Sequence, residues 1–78
     1  MRKVIIYTTT YCPWCKKTKE FFKEHKVSFI ERNVEESEKF AREMIERSGQ
    51  QGVPVIEIGK EIVVGFDEQR LRRVLKIK

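Results

Sequence analysis

Apolar positions along the chain alternate between strand-like and helix-like spacing. Residues 3 to 7 (KVIIY) form a compact apolar run with β-branched members, the pattern of a central strand buried on both faces. From Pro13 to about His25 the period changes. Cys15, Thr18, Phe21, Phe22 and His25 fall on one helical face, while Lys16, Lys17, Lys19, Lys23 and Glu24 lie largely outside it. Residues 28 to 33 (SFIERN) return to a strand pattern. Ser37 then caps a helix whose inner face is Ala41, Met44, Ile45 and Ser48 and whose terminator is Gly49. Its outer face carries Glu38, Arg42 and Glu46, and Lys39, Glu43 and Arg47, in the four-residue steps at which opposite charges support a helix.

The apolar runs VPVIEI and EIVVG, joined by Gly59-Lys60, read as a hairpin. Asp67 caps a last helix. Phe66 before that cap and Leu71 four residues after it match a hydrophobic staple, and Leu71, Val74 and Leu75 supply the buried stripe. The order is therefore βαβ followed by αββα. Right-handed crossover makes the first two strands parallel, and the hairpin completes a four-stranded mixed sheet of expected order 2-1-3-4, an α/β fold flanked by three helices. No repeat, low-complexity tract or linker interrupts it. A length of 78 residues allows one small domain, residues 1–78.

Composition, 40% hydrophobic and 37% charged with a mean hydropathy of -0.53, is that of a soluble globular chain. The apolar run in Met1–Tyr7 is shorter than the about 7 to 15 residues of a signal-peptide core. None approaches the roughly 20 residues that cross a bilayer. The expectation is a cytoplasmic monomer with no membrane or nucleic-acid partner. The net charge of +5 does not alter this, because the 17 basic residues are spread over three expected helices and interleaved with 12 acids. A preference for acidic partner surfaces remains compatible with it.

Within YTTTYCPWCKK, Cys12 and Cys15 stand where a strand gives way to a helix. A staple is a weak reading, since so short a loop removes little unfolded-chain entropy. A zinc site in one chain lacks ligands: beyond the two cysteines there is only His25, about three turns along the same helix. Two chains could share a metal or iron-sulfur cluster through paired C-x-x-C motifs, which leaves a dimeric carrier as the alternative. Redox chemistry fits better, because C-x-x-C near a βαβ pattern is a recognised dithiol signal. Pro13 suits the first helical position and puts Cys12 near the N-terminal cap, where unpaired N–H groups and the helix dipole lower a thiol's pKa below about 8.5. Lys16 and Lys17 add to that stabilisation. Cys15, one turn further in and on the buried face, should remain a thiol. An exposed thiolate beside a reserve thiol is what disulfide exchange requires.

In GQQGVPVIEIG, Pro54 opens a strand. A structural terminus explains it. A cis Val53-Pro54 bond would instead offer the Val53 backbone to an extended peptide or to glutathione.

Cys12-Pro13-Trp14-Cys15, Gly52-Val53-Pro54-Val55 and Val64-Gly65-Phe66-Asp67 together resemble the three active-site segments of the glutaredoxin family, and the resemblance covers essentially the whole chain. It implies the thioredoxin fold, a cis-proline at Pro54, Cys12 as nucleophile and Cys15 as resolving thiol, with no metal and no tightly bound cofactor. Substrate would meet Pro13, Trp14, Val53, Pro54, Gly65, Phe66 and Asp67. The implied activity is reduction of protein disulfides or glutathione mixed disulfides. Glutathione-using members usually have a lysine three residues before the first cysteine, where this chain has Thr9. They tend to have Thr-Val-Pro and a Cys-Asp or Ser-Asp pair, where it has Gly52-Val53-Pro54 and Phe66-Asp67. The Gly-Phe pair is similar to NrdH-type redoxins, which are reduced by thioredoxin reductase and supply electrons to ribonucleotide reductase. Asp67 and the N–H groups opening the last helix suit the γ-glutamyl end of glutathione. Both donors, thioredoxin reductase and glutathione as a co-substrate, stay open.

Other conspicuous residues have plain readings. Trp14 either contacts partners or shields the disulfide. Tyr7 and Tyr11 flank the loop, with Tyr7 the polar end of a buried strand. Phe21, Phe22, Phe29 and Met44 are core, His25 meets the last carbonyls of its helix, and the glutamates of residues 35 to 38 form a solvated helix start.

Overall fold

The computed structural model describes residues 3–76, so Met1 and Arg2 of the opening segment lie outside the described residues. In chain order the elements are β1 (Val4–Thr8), α1 (Pro13–Glu24), β2 (Ile30–Asn33), α2 (Glu38–Ser48), β3 (Val55–Ile58), β4 (Glu61–Val64) and α3 (Glu68–Leu75). β1 runs parallel to β2 and antiparallel to β3, and β3 pairs antiparallel with β4. The sheet order β2-β1-β3-β4 is the expected one.

Every residue of β1 is buried, and its alternate side chains enter different layers. Val4 and Ile6 join Phe21, Phe22, Ile56 and Leu71 in the larger cluster, which α1 and α3 cover. Ile5 and Tyr7 join Met44 and Val55 in the smaller one, under α2. Burial on both faces is why this strand reads as a continuous apolar run rather than an alternation.

The caps form as their residue types dictate. The Ser37 hydroxyl accepts the Phe40 N–H at 3.4 Å, and Gly49 ends α2 at φ 73°, a left-handed conformation that glycine adopts without steric cost. The Asp67 carboxylate accepts the Arg70 N–H at 3.1 Å. Phe66 and Leu71 pack into the same cluster, as a staple requires.

Several details depart from expectation. β2 starts at Ile30 rather than Ser28. The turn after α1 is closed by the Val27 N–H donating to the Phe22 carbonyl at 2.8 Å, and the chain beyond it comes level with β1 only at the Ile5–Ile30 pair. β3 starts at Val55 because Pro54 has no N–H to give to a ladder. Ile45 is 40% exposed, since Met44 alone fills the space between α2 and the sheet and Ile45 falls one step round the helix from it. The α2 charges reach across to strands instead of along the helix: Glu43 pairs with Arg32 at 2.6 Å and Arg47 with Glu57 at 2.7 Å. Arg47 also donates to the buried Tyr7 hydroxyl at 3.2 Å, so the polar end of that strand is satisfied. His25 uses its backbone N–H on the Phe21 carbonyl, while its ring packs on the Phe21 ring with centroids 4.5 Å apart.

Candidate active site

The C-terminal end of β1 is a junction. Thr8 lies opposite Asn33 at the end of β2, and Tyr7 opposite Val55 at the start of β3. The loop leaving it is pinned from the far side. The Thr10 N–H donates to the Glu35 carboxylate at 2.6 Å, and the Asn33 amide donates to the Thr10 hydroxyl at 3.4 Å. Glu35 is thus an anchor of the cysteine loop, not a freely solvated charge. Its partner stands 25 residues away, so no local pattern announced it.

Cys12 occupies the N-cap of α1 in an extended conformation (φ -146°, ψ 97°), with Pro13 at the first helical position. Its Sγ accepts the Cys15 N–H at 3.1 Å, the position that a serine or aspartate oxygen takes in an ordinary cap. A negative sulfur there is favoured by that donor and by the positive helix end. Cys12 is half-buried, whereas Cys15, on the face that also buries Thr18 and Phe22, is only 1% exposed. The two are joined in a disulfide, Cα atoms 5.2 Å apart. One sulfur can be reached by a partner and the other is held behind it.

Beside them opens a hollow of about 680 Å³, lined by Cys12, Cys15, Tyr11, Lys16, Lys19 and Lys23 among others. Lys16 thus lines the same hollow as the cysteines. The Lys17 ammonium sits 5.0 Å from the centroid of the Trp14 ring instead, in a cation–π contact. Lys19 donates to Glu31 at 3.0 Å, and the buried Thr8 hydroxyl donates to the same carboxylate oxygen at 2.9 Å. Partial desolvation pushes the Glu31 carboxyl up, but these two bonds and the charges of Lys19 and Lys23 together hold it below the usual carboxylate value. Lys19 and Lys23 follow Lys16 at helical spacing, the signal by which they could have been found. Tyr11, 94% exposed, could have been found from its place next to Cys12.

The second and third segments close the other side. The Val53-Pro54 bond is cis. The buried Pro54 offers its carbonyl to the Gly65 N–H at 2.7 Å, and Gly65 turns the chain at φ 79°. Outside the strand ladders, and among the described residues, no hydrogen bond occupies the Val53 N–H or C=O. Phe66 stacks on Trp14 with centroids 6.2 Å apart and planes at 27°, which joins the cysteine segment to the start of α3. Trp14 itself is 55% exposed. Among the described residues no cluster of three or more histidine, cysteine or acidic side chains is placed to hold a metal, and no helix is long and apolar enough to cross a membrane.

A sheet of this order, with one cysteine capping α1, a second one turn inside it and a cis-proline opening β3, defines a redox-active disulfide on a thioredoxin-type fold. The glutaredoxin family model matches residues 4–63. Over 71 residues the chain is 44% identical to an uncharacterised glutaredoxin-like 8.6 kDa protein in the rubredoxin operon of Clostridium pasteurianum, covering 91% of this chain and 95% of the relative. It is 31% identical over 71 residues to the glutaredoxin-like protein NrdH of Lactococcus lactis, covering 91% and 97%. A crystal structure of a glutaredoxin from Archaeoglobus fulgidus matches with a TM-score of 0.88 at 30% identity, over 97% of this chain and 88% of that one. The chain belongs to the glutaredoxin family and is a thiol-disulfide oxidoreductase.

Proposed function

We propose that Cys12 is the nucleophile and Cys15 the resolving thiol in the reduction of protein disulfides or glutathione mixed disulfides. The Cys12 thiolate attacks one sulfur of the substrate disulfide, a Cys12–substrate bond forms, and the other substrate sulfur leaves as a thiolate that takes up a proton. Cys15 then loses its proton, attacks Cys12 Sγ and expels the second substrate sulfur. The two electrons given up appear as the Cys12–Cys15 disulfide, which a donor reduces again. The observation that carries this assignment is the Cys15 N–H donated to the half-buried Cys12 sulfur, set against the burial of Cys15. The unoccupied Val53 backbone suits an extended substrate strand, and Trp14, Phe66 and Pro13 supply apolar surface beside it.

Thioredoxin reductase is the donor best supported. Thr9 places no cation where a glutathione carboxylate would need one, and one oxygen of Asp67 is already engaged in capping α3. Likeness to NrdH makes ribonucleotide reductase a candidate electron acceptor. The test is NADPH consumption with thioredoxin reductase and, separately, with glutathione plus its reductase. Turnover only in the glutathione arm refutes the donor assignment. Cys12→Ser should abolish reduction of a protein disulfide, and Cys15→Ser should accumulate a mixed disulfide on Cys12 visible by mass spectrometry. Retained dithiol turnover in Cys12→Ser would reverse the roles.

A further inference from the structure

At the end of the molecule opposite the cysteines, the fold assembles a second hollow of about 550 Å³ that the redox chemistry does not use. It is walled by Val4, Val27, Phe29, Ile30, Val74 and Leu75. They come from the first residues of β1 and β2, the α1–β2 connection and the last turn of α3, which the topology brings to one pole. Three lysines, Lys3, Lys26 and Lys76, stand on its rim, and among the described residues no acidic side chain lines it. Lys60, in the hairpin turn whose Gly59 N–H donates to the Lys3 carbonyl at 3.1 Å, belongs to the same pole. A smaller hollow sharing Val74 and Lys76 adds Arg73, and the one acid among its described residues, Glu61, already faces Arg70 at 3.8 Å. Among the described residues none of Lys3, Lys26, Lys60 and Lys76 has an ion-pair partner.

Helix C-termini favour cations, which accounts for a lysine just beyond α1 and another capping α3. It does not account for Lys3 or for the acid-free lining. Each helix end contributes only about half a negative charge, so three full positive charges dominate the rim. An apolar cleft of this volume lies within the roughly 300–1,000 Å³ of small-molecule sites. A flat bilayer would call for apolar side chains that protrude, whereas Val4 is buried and Val27, Phe29, Val74 and Leu75 pack partly buried against the core. We infer that this pole binds a single-chain amphiphilic anion, a long-chain carboxylate whose hydrocarbon lies along Val27, Phe29, Val74 and Leu75 and whose head group meets Lys3, Lys26 and Lys76.

The test is an amide-resolved NMR titration of the whole protein with octanoate, decanoate and dodecanoate, each below its micelle-forming concentration. Shifts should centre on Val4, Val27 to Ile30, Val74 and Leu75, and affinity should rise about fourfold per added methylene, the factor expected for each buried CH₂. The Lys3→Gln/Lys26→Gln/Lys76→Gln variant should bind decanoate about tenfold more weakly, the sum of three exposed charge contacts, while binding of 1-decanol is unchanged. Ile30→Glu, at a position already 43% exposed and so tolerant of change, should abolish carboxylate binding and leave disulfide reduction at the wild-type rate. Shifts centred on Tyr11 and Trp14, affinity independent of chain length, or undiminished binding by the triple variant would overturn the inference. So would binding to phosphatidylglycerol vesicles without binding to free carboxylate, which would assign the pole to a bilayer surface instead.

Discussion

The cap on Cys12 has a thermodynamic consequence that can be isolated with one thiol. Cys15→Ala removes the disulfide and the buried thiol but keeps the backbone N–H that meets Cys12 Sγ at 3.1 Å. A hydrogen bond to a charged acceptor contributes about 1.5–3 kcal/mol against about 0.5–1.5 for a neutral one. The helix terminus adds about 0.3–1 kcal/mol for a charge at its first turn. In this variant the thiolate should therefore be favoured over the thiol by about 1–2 kcal/mol, the lower part of the combined range because Cys12 is only partly buried. A preference of that size would set the folded pKa below the unfolded value of about 8.5. Between the two the unfolded chain binds more protons, so stability rises with pH, is fully present above about pH 8.5, and is lost as pH falls through the folded value. Urea unfolding of Cys15→Ala and of Cys12→Ser/Cys15→Ala from pH 5 to 9 reads the effect directly. With a denaturant slope of about 1–3 kcal/mol per molar, the gap between their midpoints should change by about 1 M across that range. Parallel curves would show that the cap does not select the thiolate, and the nucleophile assignment would lose its physical basis.

Leu71→Ala should cost about 2.7–5 kcal/mol, because Leu71 is fully buried on the inner face of α3, and should lower the melting temperature by at least about 10 °C. A loss under about 1 kcal/mol in thermal melts followed by circular dichroism would mean that α3 is not held by that contact. Glu31, its carboxyl held below the ordinary value, contributes stability that is present above about pH 4.5 and lost as pH falls through the folded value. Glu31→Gln should thus be weaker than wild type at pH 7, by less than about 1 kcal/mol because the side chain is 38% exposed, and the difference should close on acidification. An unchanged gap at low pH would refute the ion pair as its source. A double-mutant cycle with Trp14→Ala and Phe66→Ala in the oxidised protein should give a coupling of about 0.5–1.5 kcal/mol. Additive losses would show that the stacked rings do not join α1 to the start of α3.

What could be read from the chain and what could not divide along the range of the interactions involved. Ser37, Gly49 and Asp67 act on donors or acceptors within one helical turn, so their effect follows from residue type and spacing, and each forms its cap. The same locality made the cysteine site legible: Cys12, Pro13 and Cys15 are the N-cap, first and third positions of one helix, and the polarisation of that sulfur needs no distant residue. Arg32 with Glu43, Arg47 with Glu57, and Thr10 with Glu35 are set by which elements the sheet brings together, and charge periodicity on α2 pointed to other partners. Lys16 and Lys17 show the limit within the site itself. They are adjacent and chemically identical, yet successive helical positions differ by about 100°, so one lines the hollow beside the sulfurs and the other stacks on Trp14. A site built from consecutive helical positions can therefore be located from the chain, while which neighbouring charges lie beside it depends on an angle that only the packed structure fixes.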